Sequence, residues 1–409
     1  MNSSLQADVP QDMAGRTEPP RPGEVFRAFL KLGLTSFGGP VAHLGYFRDE
    51  LVLRRKWIDE AGYADLVALC QFLPGPASSQ VGFALGLLRG GPLGGLAAWC
   101  AFTLPSAALL VLFAMGAGAF GGPVGSGVVH GLKLVGVAVV AQAVWGMARS
   151  LAPDRPRAAI ALLSVFVVVF ATGSIGQIAA ILAGSLLGVW LCRDGAPASP
   201  AHLAFALSRR AGACALAAAC LLLAALPLAA AASGSHALAL FDVFYRAGAL
   251  VFGGGHVVLP LLETAVVRPG WIDANGFLAG YGAAQAVPGP LFSFAAFLGA
   301  AMEPWPNGML GAAICLVGIF VPGLLLVAGA LPFWNALRRL AQAAMRGANA
   351  AVVGVLAAAL YSPVWTSAVT GPPDFAVALA GFVLLTVWKA PPWLVVVLTS
   401  ATGVALALL

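Results

Sequence analysis

The chain has 409 residues, 60% of them hydrophobic and 9% charged, with a mean hydropathy of +0.92. A water-soluble protein carries roughly 25% charged residues, so this chain cannot cover a wet surface and reads as a polytopic membrane protein. The formal net charge of +6 does not argue for nucleic acid, because the basic residues lie in short loops at the ends of apolar runs, where they signal topology.

Residues 1–23 are rich in Pro, Asp, Glu, Arg and Ser and hold no apolar run. They are expected to form a disordered cytoplasmic tail, not a signal peptide. The first apolar element, 24–46, carries Arg27 and Lys31 and breaks at Phe37-Gly38-Gly39-Pro40. A basic loop, 47–61, leads to 62–88, which contains Gln71-Phe72-Leu73-Pro74-Gly75-Pro76. Elements follow at 93–118 and 130–151, then two short ones at 157–172 and 174–192. The polar connector 193–210 divides the chain, and one extra helix is expected at 212–232. The second half runs 241–267, 276–301, 308–330, 347–365, 374–389 and 392–409, matching the first piece for piece. The expected units are a repeat at 24–192, a connector with one transmembrane helix at 193–235, and a second repeat at 236–409.

The repeat is visible residue by residue. Phe29-Leu30-Lys31-Leu32-Gly33 matches Phe244-Tyr245-Arg246-Ala247-Gly248, and Phe37-Gly38-Gly39 matches Phe252-Gly253-Gly254. Trp57-Ile58-Asp59 matches Trp271-Ile272-Asp273, and Gln71 with its Pro-Gly-Pro matches Gln285 with Pro288-Gly289-Pro290. Proline removes a backbone donor and clashes with the preceding turn, so each Pro-Gly-Pro should interrupt a helix. In lipid the freed carbonyls need partners, so such breaks survive against protein or a wet cavity. The helices of each half pair off, and the lone helix 212–232 makes the number of crossings odd. The chain is therefore expected to be all-α, with two inverted-topology repeats containing broken or re-entrant helices. Loops 119–129 and 233–240 contain no Lys or Arg, whereas 149–157, 193–210 and 331–346 hold many. That bias places the basic loops and the N-terminus in the cytoplasm.

Lys31 and Arg246 occupy equivalent places in apolar helices. A charge at bilayer depth costs roughly 2.5–3.5 kcal/mol on insertion scales, so two cations brought together would suit an anion, although both could instead snorkel to the interface. The glycine breaks Gly38-Gly39 and Gly253-Gly254 and the two Pro-Gly-Pro breaks could expose half-helix N-termini, whose N–H groups favour negative charge. Ser78, Ser79 and Gln80 follow the first Pro-Gly-Pro, and Ser293 follows the second; these groups bind oxyanion oxygens without adding charge. Gln71 and Gln285 are matched amides, with interhelical hydrogen bonding as their plainer role. His43, Asp65, His256 and Glu263 are the proton-coupling candidates, each with a structural alternative. Lys133 reads as a snorkelling residue, and Asp59 and Asp273 as helix caps. The six cysteines form no C-x-x-C pair and read as buried small side chains. Neither a P-loop, nor metal-ligand spacing, nor a nucleophile elbow is present, so no metal, cofactor or enzymatic activity is expected.

The run Phe29-Leu30-Lys31-Leu32-Gly33-Leu34-Thr35-Ser36-Phe37-Gly38-Gly39-Pro40-Val41-Ala42-His43-Leu44, then Arg54-Arg55-Lys56-Trp57, then Gln71 to Gln80, resembles the chromate ion transporter (CHR) superfamily in its two-domain form. The resemblance covers nearly the whole chain after the tail. It implies a secondary carrier that exports chromate across the bacterial inner membrane and confers resistance, with sulfate as structural analogue. The alternatives are a sulfate or other oxyanion carrier and an anion channel. The Gly-rich helices leave room for a homodimer. Ser36, inside the motif, joins Lys31, Gly38, Gly39, Gln71, Pro74, Gly75, Pro76, Ser78, Ser79, Gln80, Arg246, Gly253, Gly254, Gln285, Pro288, Gly289, Pro290 and Ser293 as a candidate substrate contact. If the cation pair attracts the anion, Lys31→Ala or Arg246→Ala abolishes flux of labelled chromate while the protein stays in the membrane.

Overall fold

A computed structural model describes residues 21–37, 39–117, 122–171, 174–192, 207–252 and 257–408. Most of the expected tail, and with it Gly38, Gly253, Gly254 and His256, lies outside the described residues. All regular structure among the described residues is helical. The first repeat comprises α1 (Pro22–Thr35), α2 (Gly39–Phe47), α3 (Glu60–Phe72), α4 (Ala77–Ala117), α5 (Gly122–Leu151), α6 (Arg155–Phe170) and α7 (Ser174–Leu191). The connecting helix is α8 (Arg209–Ser233). The second repeat comprises α9 (His236–Ala249), α10 (Val258–Leu262), α11 (Ala274–Ala286), α12 (Phe294–Ala301), α13 (Gly308–Ala330), α14 (Trp334–Ala359), the single turn α15 (Thr366–Ala368), α16 (Pro372–Thr386) and α17 (Pro392–Leu408). Among the described residues, five helical stretches are long and apolar enough to cross a membrane.

The first helix is too short to cross by itself. An α1 of 14 residues is about 21 Å long, against a hydrocarbon core of about 30 Å. Its first turn stays on one face with the far end of the following segment: Glu24 accepts hydrogen bonds from Trp57 Nε1 at 3.3 Å and from Arg89 at 3.1 Å, and pairs with Arg55 at 3.8 Å. One carboxylate thus gathers the start of α1, the end of the α2 segment and the last turn before Gly91. Both hairpins of the first repeat therefore enter and leave by the same face. Gly91, at φ 62°, then reverses the chain inside α4, and residues 92–117 run across. The equivalent reversal in the second repeat lies between α12 and α13, where Gly299 packs on Gly311 as Gly86 packs on Gly94.

The depth of the breaks follows from packing. α1 runs beside residues 92–117 and brings Gly33 against the Phe102 backbone, and α9 runs beside α13 and brings Gly248 against Ile319 and Pro322. The ends of α1 and α9 thus reach the middle of the two crossing helices. Asp59 caps α3 through Gly62 N–H at 2.8 Å, and Asp273 caps α11 through Gly276 N–H at 3.1 Å, as their repeated motif predicts.

The orientation of the repeats is fixed by contacts at the two faces. α3 starts on the Glu24 face, where Arg48 pairs with Glu60. Residues 92–117 carry the chain to the opposite face, where α5 begins. There Lys133 of α5 meets Asn275 in the first turn of α11, and His130 meets Asp374 in the first turn of α16. The equivalent helices α3 and α11 thus start on opposite faces, which is the inverted arrangement.

The repeats also exchange helices. α5 packs on α16 and α17 of the second repeat, while α14 packs on α6 and α7 of the first. The crossings are backbone-close. Gly131 lies on the Thr399 carbonyl and Ser400, and Gly347 on Gly184 and Gly188. Several boundaries differ from the sequence expectation, two of them inside expected loops that carry the charge bias. α5 begins at Gly122, inside the expected loop 119–129, and α14 begins at Trp334, inside the expected basic loop 331–346. Glycines in the first case and arginines in the second mask helical turns that extend past the apolar run. A side chain at Gly131 has nowhere to go, and overpacking of this kind costs about 1–3 kcal/mol or more. Gly131→Leu is expected to lower the melting temperature in detergent by several degrees. Gly45→Ala, where nothing lies within 4 Å of the new carbon, should leave it unchanged.

Candidate functional site

The two Pro-Gly-Pro breaks dock into each other's repeat. Gly75 N–H donates to the Val251 carbonyl at 2.7 Å, and Gly289 N–H donates to the Ser36 carbonyl at 2.9 Å. These four residues are matched in the repeat, so the bonds form a two-fold pair. Each break thus supplies the donor needed by the interrupted end of the other repeat's first helix. Gly75 and Gly289 hold φ of 123° and 101°, a region that L side chains rarely adopt. A Cβ at Gly75 would also lie 2.9 Å from Gly323 Cα, and one at Gly289 would lie 2.8 Å from Ser106 Oγ.

Polar side chains converge on this crossing. Ser106 and Ser293 share a 2.6 Å hydrogen bond between repeats. Gln80 Nε2 donates to the carbonyls of Pro74 at 2.9 Å and Gly323 at 3.0 Å. His43 Nδ1 lies 3.4 Å from Ser78 Oγ, with its ring edge-on to Phe102. Ser36, His43, Ser78, Ser79, Gln80, Thr103, Ser106 and Ser293 are all buried. Within the described chain, Ser36 Oγ, His43 Nε2, Ser79 Oγ and Thr103 Oγ1 have no hydrogen-bond partner. A buried hydroxyl without a partner costs about 1–3 kcal/mol, so several at one point call for a polar ligand. The group is rich in hydroxyl donors, and none of its members is a permanent charge.

The expected cations lie elsewhere, each matched by an acid of its own repeat. Lys31 Nζ donates to Glu50 at 2.8 Å with its side chain 51% exposed. Arg246 pairs with Asp242 one turn earlier. Glu50 is buried beneath three cations, accepting also from Arg55 at 2.8 Å and Arg54 at 3.0 Å. Glu50 sits at the mouth of the first hairpin, outside the spanning helices. Burial pushes its carboxyl up, but hydrogen bonds from Lys31, Arg55 and Arg54 outweigh that and hold the pKa at about 2. Its stabilising contribution is therefore complete above the ordinary carboxylate pKa and is lost as pH falls toward 2.

The remaining candidates are spread out. Gln71 is exposed at the end of α3, Gln285 is half-buried, Asp65 is buried on α3, and Glu263 is half-buried where α10 widens into looser turns. Sequence reasoning missed Thr103, Ser106, Glu50 and Asp242. Ser106 was readable, since Pro105-Ser106 aligns with Pro322-Gly323, and Asp242 stands four residues before Arg246 on one helix face.

Asp242 is buried, so removing its half-exposed partner strands a charge, at a cost that solvent holds below the roughly 3–5 kcal/mol of a fully buried pair. Arg246→Ala should therefore lower the melting temperature sharply, and adding Asp242→Asn should recover most of the loss. Lys31→Ala, which leaves Glu50 with Arg54 and Arg55, should change it by about 1 kcal/mol or less.

Comparison with known proteins adds to this geometry. The family described as chromate transporter matches residues 23–189 and 238–404, once for each repeat. A chromate transport protein of Pseudomonas aeruginosa is 31% identical over 92% of this chain and 90% of its own. A probable chromate transport protein of Synechococcus elongatus is 28% identical over 92% and 93%. One from Cupriavidus metallidurans is 29% identical over 81% and 80%. No solved structure matches the chain.

Proposed function

The chain belongs to the chromate transporter family, and on that premise we propose that it is a secondary carrier moving chromate, a tetrahedral dianion, through the crossing of its four broken segments. The observation that carries this reading is the group of buried hydroxyls without partners where the two breaks interlock. A dianion can be held there by neutral donors, namely hydroxyls and the N–H groups opening the helix after Pro76. Such a site binds without burying a full counter-charge, so the anion can also leave.

Lys31, Arg54 and Arg55 surround Glu50 at the mouth of the first hairpin, and Arg55 with Arg89 also meets Glu24, so four cations face two carboxylates there. With the basic loops in the cytoplasm, this mouth opens inward and gathers the anion for export. Arg246 has one matching acid and gives the opposite mouth no such excess. His43 touches the hydroxyl group directly and is the residue through which proton coupling would act. Sulfate has the same shape and charge and should compete. Export across the inner membrane would account for chromate resistance.

The test is flux of labelled chromate and sulfate in inverted membrane vesicles. Transport should saturate, and Ser79→Ala with Thr103→Val, which remove two of the hydroxyls without partners, should reduce it by roughly tenfold or more, two charge-assisted hydrogen bonds being lost. The protein should remain in the membrane. Unchanged flux in that double variant would remove the site, and non-saturating flux would favour a channel.

A further inference from the structure

Among the described residues, one member of the central hydroxyl group can change its charge. His43, 1% exposed on α2, has Nδ1 3.4 Å from Ser78 Oγ and its ring edge-on to Phe102, while Nε2 has no hydrogen-bond partner. The other atoms of the group without partners are the hydroxyls of Ser36, Ser79 and Thr103. A neutral imidazole donates from one nitrogen and keeps a lone pair on the other, whereas the protonated ring donates from both. Histidine is also the side chain that ordinarily makes this change near neutral pH.

The surroundings of the ring are neutral. α2 packs on α4 and on the turn 48–54, and Tyr63 of α3 donates to the Leu44 carbonyl. Charges on these elements are met elsewhere, Arg48 by Glu60, Arg54 by Glu50 and Arg89 by Glu24, and Asp49 is exposed. Asp65, Tyr63 and Cys70 are buried on α3. None of these groups acts on His43, which feels its burial and the Ser36 carbonyl. An imidazolium alone in such a place is costly, and so is a dianion alone, so each lowers the cost of the other.

We infer that His43 binds a proton together with the anion, so that the two cross the membrane as companions and are not exchanged against each other. This deepens the proposed function and rests on that reading for the site and the anion. A proton from water at the open mouth adds to the ring's lone pair as the dianion settles on the hydroxyls, and it returns to water when the anion leaves. Exchange would require the proton to exclude the anion, and a positive charge beside the anion's donors does the reverse. By linkage, the factor by which the anion favours the proton is the factor by which the proton favours the anion. A dianion with one proton carries a single net negative charge. An inside-negative potential therefore drives export, whereas an acidic exterior opposes it.

The experiment is equilibrium binding of inorganic sulfate to the purified full chain in weakly buffered detergent solution, read as the proton uptake that accompanies it. Sulfate stays a dianion near neutral pH, whereas chromate takes a proton of its own there, so sulfate reports the protein's proton alone. At about pH 8, about one proton should be taken up per sulfate bound, and the half-saturating concentration should rise by up to about tenfold per pH unit above that. His43→Gln should abolish the uptake and leave a weak affinity that no longer varies with pH, and His256→Gln should retain the uptake. The stoichiometry of the parent chain decides the matter even if His43→Gln fails to fold. Sulfate binding without uptake, with proton release, or with uptake that survives His43→Gln overturns the inference and leaves the transport reading standing, and absence of sulfate binding overturns the inference as well. Proton-linked binding without chromate flux in inverted vesicles would keep the linkage and reject the transport reading.

Discussion

A backbone donor or acceptor left in hydrocarbon costs several kcal/mol, and this requirement organises the molecule. Four segments stop midway across it, and an interrupted helix exposes carbonyls that its own turns cannot satisfy. The chain meets the demand reciprocally, with Gly75 bonding Val251 and Gly289 bonding Ser36. Among the described residues, neither repeat completes its own broken ends in this way. Duplication and inversion are what bring a donor to each of them.

The same reciprocity places the polar chemistry. Because both breaks sit at mid-depth, the residues flanking them meet at one point, and Ser106 and Ser293 hydrogen-bond across the pseudo-two-fold. Exact symmetry is relaxed in the side chains. Ser79 and Ser293 are matched, but Ser106 faces Gly323 in the other register, and His43 aligns with an apolar position. The backbone therefore keeps the two-fold while the side chains break it. Charge shows the same division, with three cations around Glu50 on one side and a single Arg–Asp pair on the other.

Much of this could be read from the residues alone. Proline and glycine act locally, so Pro74-Gly75-Pro76 and its copy announce broken helices without tertiary information, and their common spacing announces the repeat. The caps at Asp59 and Asp273 are equally local. The fate of the charges was not legible, because Lys31 is matched by Glu50 nineteen residues away, across a hairpin whose closure the sequence does not display. Glycines at helix crossings were also opaque. Gly131 and Gly347 look like any others in a chain with 50 of them, and only the partner backbone reveals why a side chain is excluded.

The exchange of helices between repeats bears on how the protein is made. α5 is complete once Leu151 has been added, yet α17, which covers it, starts only at Pro392. At roughly 5–20 residues per second, α5 stands beside lipid for some tens of seconds before its groove is filled. Its Gly127 and Gly131 notch, shaped for a neighbour's backbone, must stay vacant or be occupied by another chain during that interval. Losing the last helix would therefore strip an early-made element of its cover, and damage at the carboxyl end would be felt in the amino-terminal half.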